Sequence, residues 1–217
     1  METKQGECPV CKGSCETRFQ HRMNRSYHWC TTCDLVSVSS SDRLREADER
    51  ARYLSHNNSI DQPGYVRMLW SVLDAAEAVR GQQPCRMLDY GCGYAPVLGT
   101  LARRRGYAVD DYDPLFFPDP TVLERRYELV TSCEVAEHAY DPVQFWETIR
   151  SVLQRDGIIT VRSSLHPPDW DSFLSFWYTF DETHVSFYSG RTISYVCSRF
   201  GFELRALRDP IWVLQKR

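Results

Sequence analysis

A glycine-rich turn between two acidic residues is the stretch best suited to bind a ligand. Asp89 ends an apolar segment and is followed closely by Gly91 and Gly93. After one helical stretch, Asp113 lies at the end of the next apolar segment. The glycines let the backbone approach a ligand and adopt torsion angles that a β-carbon resists, and the following helix directs free N–H groups into the same space. The pattern predicts a strand-turn-helix-strand unit with a ligand bound over the turn.

A titratable side chain farther along the chain is suited to acid-base chemistry. His184 lies in the sequence DETH at residues 181–184. Histidine titrates near neutral pH, so His184 can orient an acceptor group or remove its proton. The alternative is that His184 and Asp181 hydrogen-bond the backbone and hold their loop.

Two cysteine pairs near the start of the chain have the spacing of metal ligands. They are Cys8-x-x-Cys11 and Cys30-x-x-Cys33. Each pair can direct two thiolates toward one ion, and the two pairs together complete the tetrahedral sulfur shell that structural zinc prefers. Four unpaired core thiols are the alternative, but they leave the repeated spacing unexplained. We expect a zinc ion with a folding role, because a full sulfur shell leaves no open position for a substrate.

The glycine turn resembles motif I of class I S-adenosylmethionine-dependent methyltransferases. The sequence LDYGCG at residues 88–93 and the acid Asp113 after one helix carry the resemblance. The acid precedes the glycines and the third small residue is Ala95, which distinguishes the pattern from a dinucleotide fingerprint. The resemblance implies an α/β fold with a Rossmann-like, doubly wound, mostly parallel sheet. It also implies S-adenosylmethionine as cofactor and S-adenosylhomocysteine as product.

The resemblance also indicates which residues contact the cofactor. Asp113 is expected to accept hydrogen bonds from the ribose, in preference to Asp110 and Asp111 within the strand. Tyr65 and the segment HNN at residues 56–58 are candidates for the methionine end, although Tyr65 could instead be the first core residue of its helix. The predicted cofactor-binding residues are Tyr65, Asp89, Gly91, Cys92, Gly93, Asp113, Pro114, Phe116, Cys133 and Glu134.

Two further segments resemble methyltransferase sequences near the acceptor. Residues 128–138, ELVTSCEVAEH, are similar to the fourth-strand motif of small-molecule methyltransferases. Residues 181–189, DETHVSFYS, resemble a segment of a bacterial group that also carries an N-terminal four-cysteine ribbon. Aromatic walls with a few polar groups suit an organic acceptor. The predicted catalytic residues are Glu137, His138 and His184, and the predicted substrate-binding residues are Trp177, Tyr178, Asp181 and Tyr188.

The elements that position these residues follow from hydrophobic periodicity and breaker residues. A charged helix is predicted over residues 43–53, and a helix with one buried stripe begins near Gly64. Asp141 is predicted to cap a helix that Asp156-Gly157 breaks, before a fifth strand at residues 158–161. Only residues 114–126, with three prolines, separate the second and fourth strands. The usual third helix and strand are therefore expected to be shortened or missing, which weakens the adenine side of the site.

Three parts of the chain are predicted from these signals. Residues 1–40 form a zinc ribbon, and residues 41–80 form a linker and helical cap. Residues 81–217 form the methyltransferase domain, with an acceptor-binding insertion at about 163–190. Apolar residues at 42% and charged residues at 25% are typical of a soluble globular protein. The chain lacks a signal-peptide core and an apolar run near the roughly 20 residues of a membrane helix, so we expect a cytoplasmic protein.

Three functions are consistent with the sequence. The favoured one is methyl transfer to an O, N or C atom of a small organic acceptor, in which alignment can replace a general base. The second is methylation of RNA or protein docked by the ribbon, although a net charge of -3 argues against a general nucleic-acid binder. The third is a non-catalytic, cofactor-binding partner of another enzyme.

Overall fold

Two β-sheets organise the computed structural model, which describes residues 6–55 and 57–217. The strands are β1 (Cys15–Gln20), β2 (Arg25–Cys30), β3 (Val36–Val38), β4 (Arg86–Tyr90), β5 (Ala108–Tyr112), β6 (Tyr127–Cys133), β7 (Leu153–Arg162), β8 (Ser186–Phe187), β9 (Phe202–Arg208) and β10 (Ile211–Lys216). The helices are α1 (Glu46–Leu54), α2 (Pro63–Arg80), α3 (Val97–Arg104), α4 (Pro142–Val152), α5 (Trp170–Leu174) and α6 (Gly190–Phe200). Short 3₁₀ helices cover Ser40–Asp42, Pro120–Glu124, Ala136–His138 and Trp177–Phe180.

The larger sheet has six strands in the order β5-β4-β6-β7-β10-β9. Its first four strands are parallel, and β10 runs antiparallel to β7 and β9. Parallel neighbours need crossover connections, which α3 and α4 supply between β4 and β5 and between β6 and β7. The predicted α/β fold with a mostly parallel sheet is confirmed. The carboxyl ends of β4, β5 and β6 therefore meet at one edge.

The connection from β5 to β6 is short, as predicted. Within the described residues it contains one 3₁₀ helix, Pro120–Glu124, and no strand pairs with the outer side of β5. Prolines in this segment lack the N–H that a helix or strand would use. The expectation of a missing helix and strand is confirmed, and β5 is the edge of the sheet.

The predicted boundary between α4 and the fifth strand is wrong. Asp156-Gly157 does not break a helix, because α4 ends at Val152 and β7 runs through both residues. Asp156 has a φ of 62°, and the register against β6 shifts between Tyr127 and Leu129. The Asp-Gly pair therefore forms an irregularity inside a strand. Pairing with β6 on both sides of the pair stabilises this arrangement.

The helices that cover the sheet match the sequence pattern closely. Helix α2 buries the stripe that the 3.6-residue periodicity predicted, Leu69, Val72, Leu73 and Ala76, and contacts α3, β7 and β10. Asp141 caps α4 by accepting hydrogen bonds from the N–H groups of Val143 and Gln144. No helix in the described ranges is both long and apolar enough to cross a membrane.

The smaller sheet joins the two ends of the chain. Its order is β1-β2-β3-β8, so that a strand from the 163–190 segment pairs with the N-terminal strands. Val36 of β3 lies opposite Phe187 of β8, and Tyr27 packs edge-on against Phe173 with ring centroids 5.2 Å apart. The N-terminal strands and the predicted acceptor segment thus share one buried cluster. The three-part division predicted from the sequence stays a prediction.

Candidate active site

The glycine turn follows β4 directly, and its backbone has a conformation that favours glycine. Gly91 and Gly93 have φ values of 81° and 65°. A β-carbon on Gly91 would collide with the side chain of Val135, whereas one on Gly93 would meet nothing within 4 Å. The N–H groups of Gly91 and Cys92 donate to the carbonyl of Tyr112, at 2.8 and 3.1 Å. The turn is thus fixed to the end of β5 on one side and open above Gly93.

Asp113 is the carboxylate that lies beside this turn. Its Oδ2 accepts a hydrogen bond from Gly93 N–H at 3.1 Å, and its Oδ1 accepts from the N–H groups of Leu115 and Phe116. The neighbouring acids are held elsewhere: Asp110 pairs with Arg125 at 2.8 Å, and Asp111 pairs with Arg103 at 2.6 Å. This arrangement favours Asp113 over its neighbours, and its contact with a ribose stays a prediction.

Asp89 lies behind the turn rather than in the open space. Its side chain is buried and accepts a hydrogen bond from the Thr131 hydroxyl at 3.0 Å. Burial, with the nearby Asp111 charge, raises the pKa of Asp89 to about 7. This position indicates that Asp89 supports the β4–β6 junction beneath the turn. Its predicted contact with the cofactor stays a prediction.

Two aromatic side chains, Tyr94 and Phe116, meet beside the turn and are contacted by residues of two other segments. The Tyr94 and Phe116 rings lie 6.1 Å apart, and the Arg50 guanidinium of α1 lies 5.3 Å from the Phe116 ring centroid. The N–H of Asn58 donates to the Tyr94 hydroxyl oxygen at 3.1 Å. His56, which the sequence analysis paired with Asn58, lies outside the described residues. Pro114 and Phe116 are thus next to the turn, as the ribose and adenine assignments require.

Tyr65 lies close to the carboxyl ends of the strands. Burial raises the pKa of its phenol, and the nearby thiol of Cys133 and carboxyl of Asp89 raise it further. The ring also packs against the core residues of α2, which agrees in part with the alternative that Tyr65 is the first core residue of its helix. The structure brings Tyr65, Cys133 and the glycine turn together, which is the arrangement predicted for the methionine end.

Glu134, the residue directly after β6, has an unusual backbone conformation. Its φ is 55°, which is uncommon for a residue with a β-carbon and occurs often at functional sites. Its carboxylate forms an ion pair with Arg162 of β7. The Tyr178 hydroxyl lies 3.1 Å from Oε2 of the same carboxylate. The end of β6 is therefore tied both to the sheet and to the 163–190 segment.

Glu137 is a fully buried carboxyl group next to Glu134. The Tyr178 hydroxyl hydrogen-bonds to its Oε1, and the Ser163 hydroxyl lies 3.4 Å from the Tyr178 hydroxyl. Burial, with the neighbouring Glu134 charge, raises the pKa of Glu137 to about 8. Its Oε2 has no hydrogen-bond partner within residues 6–55 and 57–217. The structure thus joins a predicted catalytic residue to a predicted substrate-binding residue.

Two imidazoles lie next to Glu137. The rings of His138 and His184 are 4.7 Å apart, and one ligand atom from each of the three side chains lies within 4.8 Å of the others. His138 Nδ1 is 3.1 Å from the Thr183 carbonyl oxygen, and His184 Nδ1 is 2.7 Å from the Tyr178 carbonyl oxygen. The three residues predicted to be catalytic are therefore in contact, although their chemical role stays a prediction.

Helix α1 covers this cluster. The Tyr53 ring lies 5.3 Å from the His138 ring, and the Tyr53 hydroxyl donates to Glu49 at 2.5 Å. Arg52 forms an ion pair with Asp181 at 2.9 Å. Tyr53 is not among the residues predicted from the sequence, because the pattern of residues 43–53 is typical of a charged surface helix. An aromatic residue on such a charged helix is the one signal that could have identified it.

Asp181 mainly holds its loop. Its Oδ1 accepts hydrogen bonds from the N–H and the hydroxyl of Thr183, and its Oδ2 contacts Arg52. Although burial acts in the opposite direction, these hydrogen bonds lower the pKa of Asp181. These contacts support the alternative in which Asp181 holds its loop. The predicted contact between Asp181 and a substrate stays a prediction.

The remaining two predicted substrate-binding residues differ sharply. Trp177 is 62% exposed and lies with its ring 5.0 Å from Tyr178, so it can form part of an open wall. Tyr188 is fully buried, with its ring 5.3 Å from Trp212 and 6.3 Å from Trp146. Tyr188 therefore lies in the core between the sheet and α4, and its predicted contact with a substrate stays a prediction.

The four paired cysteines form one cluster. Cys8 Sγ is 3.5 Å from Cys33 Sγ, and Cys11 Sγ is 3.3 Å from Cys30 Sγ. These distances are too long for disulfides, at about 2.05 Å, and fit sulfurs that surround one ion at about 2.3 Å. Backbone N–H groups point at the sulfurs, including Gly13 after the first pair and Thr32 within the second. The predicted ligand cluster is confirmed, and it fits a zinc ion.

The fold and the site together define a class of protein. A mostly parallel sheet, an open glycine turn after β4 and an acid just after β5 are the features of class I S-adenosylmethionine-dependent methyltransferases. Residues 41–207 match the profile of the family described as "Methyltransferase domain", and the chain belongs to that family. The resemblance drawn from the glycine turn is confirmed. No curated protein sequence matches the chain.

Solved methyltransferase structures share this fold. A Burkholderia thailandensis 1,6-didemethyltoxoflavin-N1-methyltransferase, with 1,6-didemethyltoxoflavin and S-adenosylhomocysteine bound, has a TM-score of 0.59 at 14% identity over 93% of this chain and 99% of that chain. The magnesium protoporphyrin IX methyltransferase of Synechocystis PCC 6803, with S-adenosylhomocysteine, has a TM-score of 0.52 at 13% identity over 79% and 94%. The N-methyltransferase NodS of Bradyrhizobium japonicum WM9 has a TM-score of 0.50 at 12% identity over 78% and 97%.

Proposed function

We propose that the protein transfers a methyl group from S-adenosylmethionine to a small organic acceptor. The observation that carries this proposal is the meeting, at one edge of the sheet, of the open glycine turn and the Glu137–His138–His184 cluster. Ligands of open α/β sheets bind at the carboxyl ends of the strands, where both features lie. Two of the similar structures are named for methylation of toxoflavin and protoporphyrin compounds, which supports a small-molecule acceptor.

The residues around the turn fit the cofactor. The open space above Gly93 admits a ligand close to the backbone, and Asp113 is placed to accept hydrogen bonds from ribose hydroxyls. Phe116 offers an apolar face for adenine, while Tyr65 and Cys133 lie where the methionine end would bind. When bound, the cofactor supplies an electrophilic methyl group on a sulfonium ion.

The protein contributes alignment and exclusion of water. Methyl transfer is an in-line displacement, so holding the acceptor at the correct distance and angle lowers much of the barrier. Helix α1 covers the cluster through Tyr53 and through the Arg52–Asp181 ion pair, which limits access of water. Trp177 and Tyr178 supply an aromatic wall for an organic acceptor.

We propose a structural zinc ion at Cys8, Cys11, Cys30 and Cys33. The cysteine turns hold the ends of β1, β2 and β3, and β3 pairs with β8 from the acceptor segment. A filled sulfur shell has no position for a substrate, so the ion would act on folding alone. Metal analysis of the purified protein that returns no zinc would remove this assignment.

Isothermal titration with S-adenosylmethionine tests the cofactor site. Asp113→Ala should weaken binding at least tenfold, because hydrogen bonds to a charged group contribute about 1.5–3 kcal/mol. Asp110→Ala is the matched control, since it removes a carboxylate of β5, the strand before Asp113, that pairs with Arg125. Equal heats for both variants and the wild type would remove Asp113 from the site. A metabolite extract incubated with labelled cofactor then identifies the acceptor.

A macromolecular acceptor is the second candidate. β1 is the outer strand of the smaller sheet and exposes Phe19, which is 45% exposed, beside basic residues. The Arg18 guanidinium lies 5.8 Å from the Trp29 ring centroid, which is an arrangement that can stack on a base. Filter binding to bulk tRNA at low and moderate salt tests this candidate. Saturable binding that survives moderate salt would favour it over a small molecule.

A further inference from the structure

The Glu137–His138–His184 cluster has the composition of a metal site with open positions. Each side chain offers one ligand atom, and the three atoms lie within 4.8 Å of one another. Two imidazoles and one carboxylate are the protein ligands of many catalytic sites for divalent first-row ions, where remaining positions take water or substrate. The cluster differs in this respect from the cysteine cluster, whose four sulfurs close the shell.

The hydrogen bonds of the two histidines prepare them for such a role. A carbonyl oxygen only accepts hydrogen bonds, so His138 Nδ1 and His184 Nδ1 each carry the hydrogen that they share with Thr183 and Tyr178. Nε2 is then the nitrogen of each ring that would bind an ion. Metal-binding histidines almost always donate their other N–H to a carbonyl or carboxylate, which fixes tautomer and ring orientation.

Glu137 supplies an independent observation. It is fully buried, Tyr178 satisfies only its Oε1, and its Oε2 lacks a hydrogen-bond partner in the part of the chain that the structure describes. Burying a polar atom without a partner costs free energy, which coordination to a cation would offset. The position of Glu137 beside two oriented imidazoles is thus explained by an ion between the three side chains.

We infer that Glu137, His138 and His184 bind a divalent metal ion that holds a hydroxyl group of the acceptor beside the cofactor. This inference rests on the proposed methyl transfer and narrows its acceptor to an oxygen nucleophile. A metal ion occupies the lone pair of an amine and prevents its attack. A hydroxyl oxygen loses its proton more readily on the metal and still keeps a lone pair for the methyl carbon.

The step balances without a further reactant. The metal-bound hydroxyl releases its proton to solvent water, and its oxygen forms a bond to the methyl carbon. The bond between that carbon and the sulfonium sulfur breaks, and its electron pair stays on sulfur as the neutral thioether of S-adenosylhomocysteine. The methyl ether product is a weaker ligand than the alkoxide or phenolate, so it leaves the ion.

Titration of the zinc-loaded protein with Mn²⁺, followed by the electron paramagnetic resonance signal of the free ion, tests the site. Thiolate ligands disfavour Mn²⁺, so the cysteine cluster does not compete. We expect one equivalent to bind to the wild type and to the control His21→Ala, whose side chain is exposed in the turn after β1. Glu137→Gln and His184→Ala should weaken binding at least tenfold. Co²⁺, followed by its visible absorption, gives a second probe.

The wild-type result decides the inference even where a variant folds poorly. Absence of saturable binding of both Mn²⁺ and Co²⁺ to the wild type overturns it, as does unchanged affinity in both variants. Catechol, a simple hydroxyl ligand, should change the absorption of the Co²⁺ complex, and an unchanged spectrum overturns the hydroxyl assignment. Titration of the same samples with S-adenosylmethionine keeps the two proposals separate. If S-adenosylmethionine gives a heat of binding but no cation binds, the metal site alone is overturned. If S-adenosylmethionine gives no heat of binding, the proposed methyl transfer is overturned.

Discussion

The glycine turn and the Glu137–His138–His184 cluster lie at the same edge of one sheet but are assembled in different ways. The turn and Asp113 belong to one continuous strand-turn-helix-strand unit, held by backbone hydrogen bonds to Tyr112. The cluster combines the end of β6 with a loop from the 163–190 segment, and α1 covers it. The turn is therefore fixed by local backbone geometry, and the cluster by side-chain contacts between distant segments. Substitutions in the turn and substitutions in the cluster should therefore affect different measured properties.

The largest effect is expected at the turn. Gly91→Ala places a β-carbon against Val135 at a φ of 81°, and strain of this kind costs about 1–3 kcal/mol before the collision is added. We expect at least a hundredfold weaker S-adenosylmethionine binding by isothermal titration. Gly190→Ala is the control, since its β-carbon meets only Leu207 Cδ2 at 3.9 Å. Wild-type affinity in Gly91→Ala would show that the turn tolerates a different conformation.

The next effect is a pH dependence of stability beneath the turn. Asp89 has its pKa raised by burial and by Asp111 to about 7, whereas an unfolded Asp titrates near about 3.9. Below about pH 4 both states are protonated and the stabilising contribution is complete. As the pH rises toward about 7 the unfolded chain alone loses the proton, so the free energy of unfolding falls by about 1 kcal/mol per pH unit.

Urea denaturation between pH 4 and 7 measures this slope. Asp89→Asn should be less dependent on pH than the wild type in that window, because the titrating group is absent. Asp110→Asn, on the neighbouring strand, should follow the wild type. A variant Asp89→Asn with the full wild-type slope would assign the dependence to other groups.

Next to the Glu137–His138–His184 cluster, we expect a smaller effect that does not change the affinity for S-adenosylmethionine. Tyr178→Phe removes the hydroxyl shared by Glu134 and Glu137, and an unsatisfied buried partner costs about 1–3 kcal/mol. The free energy of unfolding and kcat should both fall, while the affinity for S-adenosylmethionine stays near that of the wild type. Tyr195→Phe, on α6, controls for loss of a tyrosine hydroxyl. Equal losses of cofactor affinity and kcat would show that the two regions are not separate.

The smallest effect belongs to the ion pair that links α1 to the loop. Arg52 is about half exposed, so Arg52→Ala should cost less than about 1 kcal/mol, and the difference should shrink at high salt. Chemical denaturation at low and high salt measures it. Arg45→Ala, which breaks a surface pair with Asp48 on the same helix, is the control. A loss several times larger would mean that α1 depends on this contact for its position.

The difference between the two regions also explains which features could be predicted from the sequence and which could not. The glycine turn, the cap at Asp141 and the spacing within each cysteine pair all depend on residues close together in sequence. Tyr53 over His138 and the pairing of β8 with β3 depend on contacts between distant segments, which periodicity does not encode. The Asp156-Gly157 boundary was wrong and the full burial of Tyr188 was not predicted, for the same reason. In each case the neighbouring strand or core, and not the local sequence, decides the conformation.

The missing unit between β5 and β6 has a consequence for association between molecules. β5 is an edge strand, and such strands expose backbone groups that can pair with another chain and cause aggregation. Asp110 and Asp111 lie on this strand and are paired with Arg125 and Arg103. A second strand that approached this edge would have to desolvate these charges. The charged pairs on β5 thus disfavour pairing of another strand at this edge.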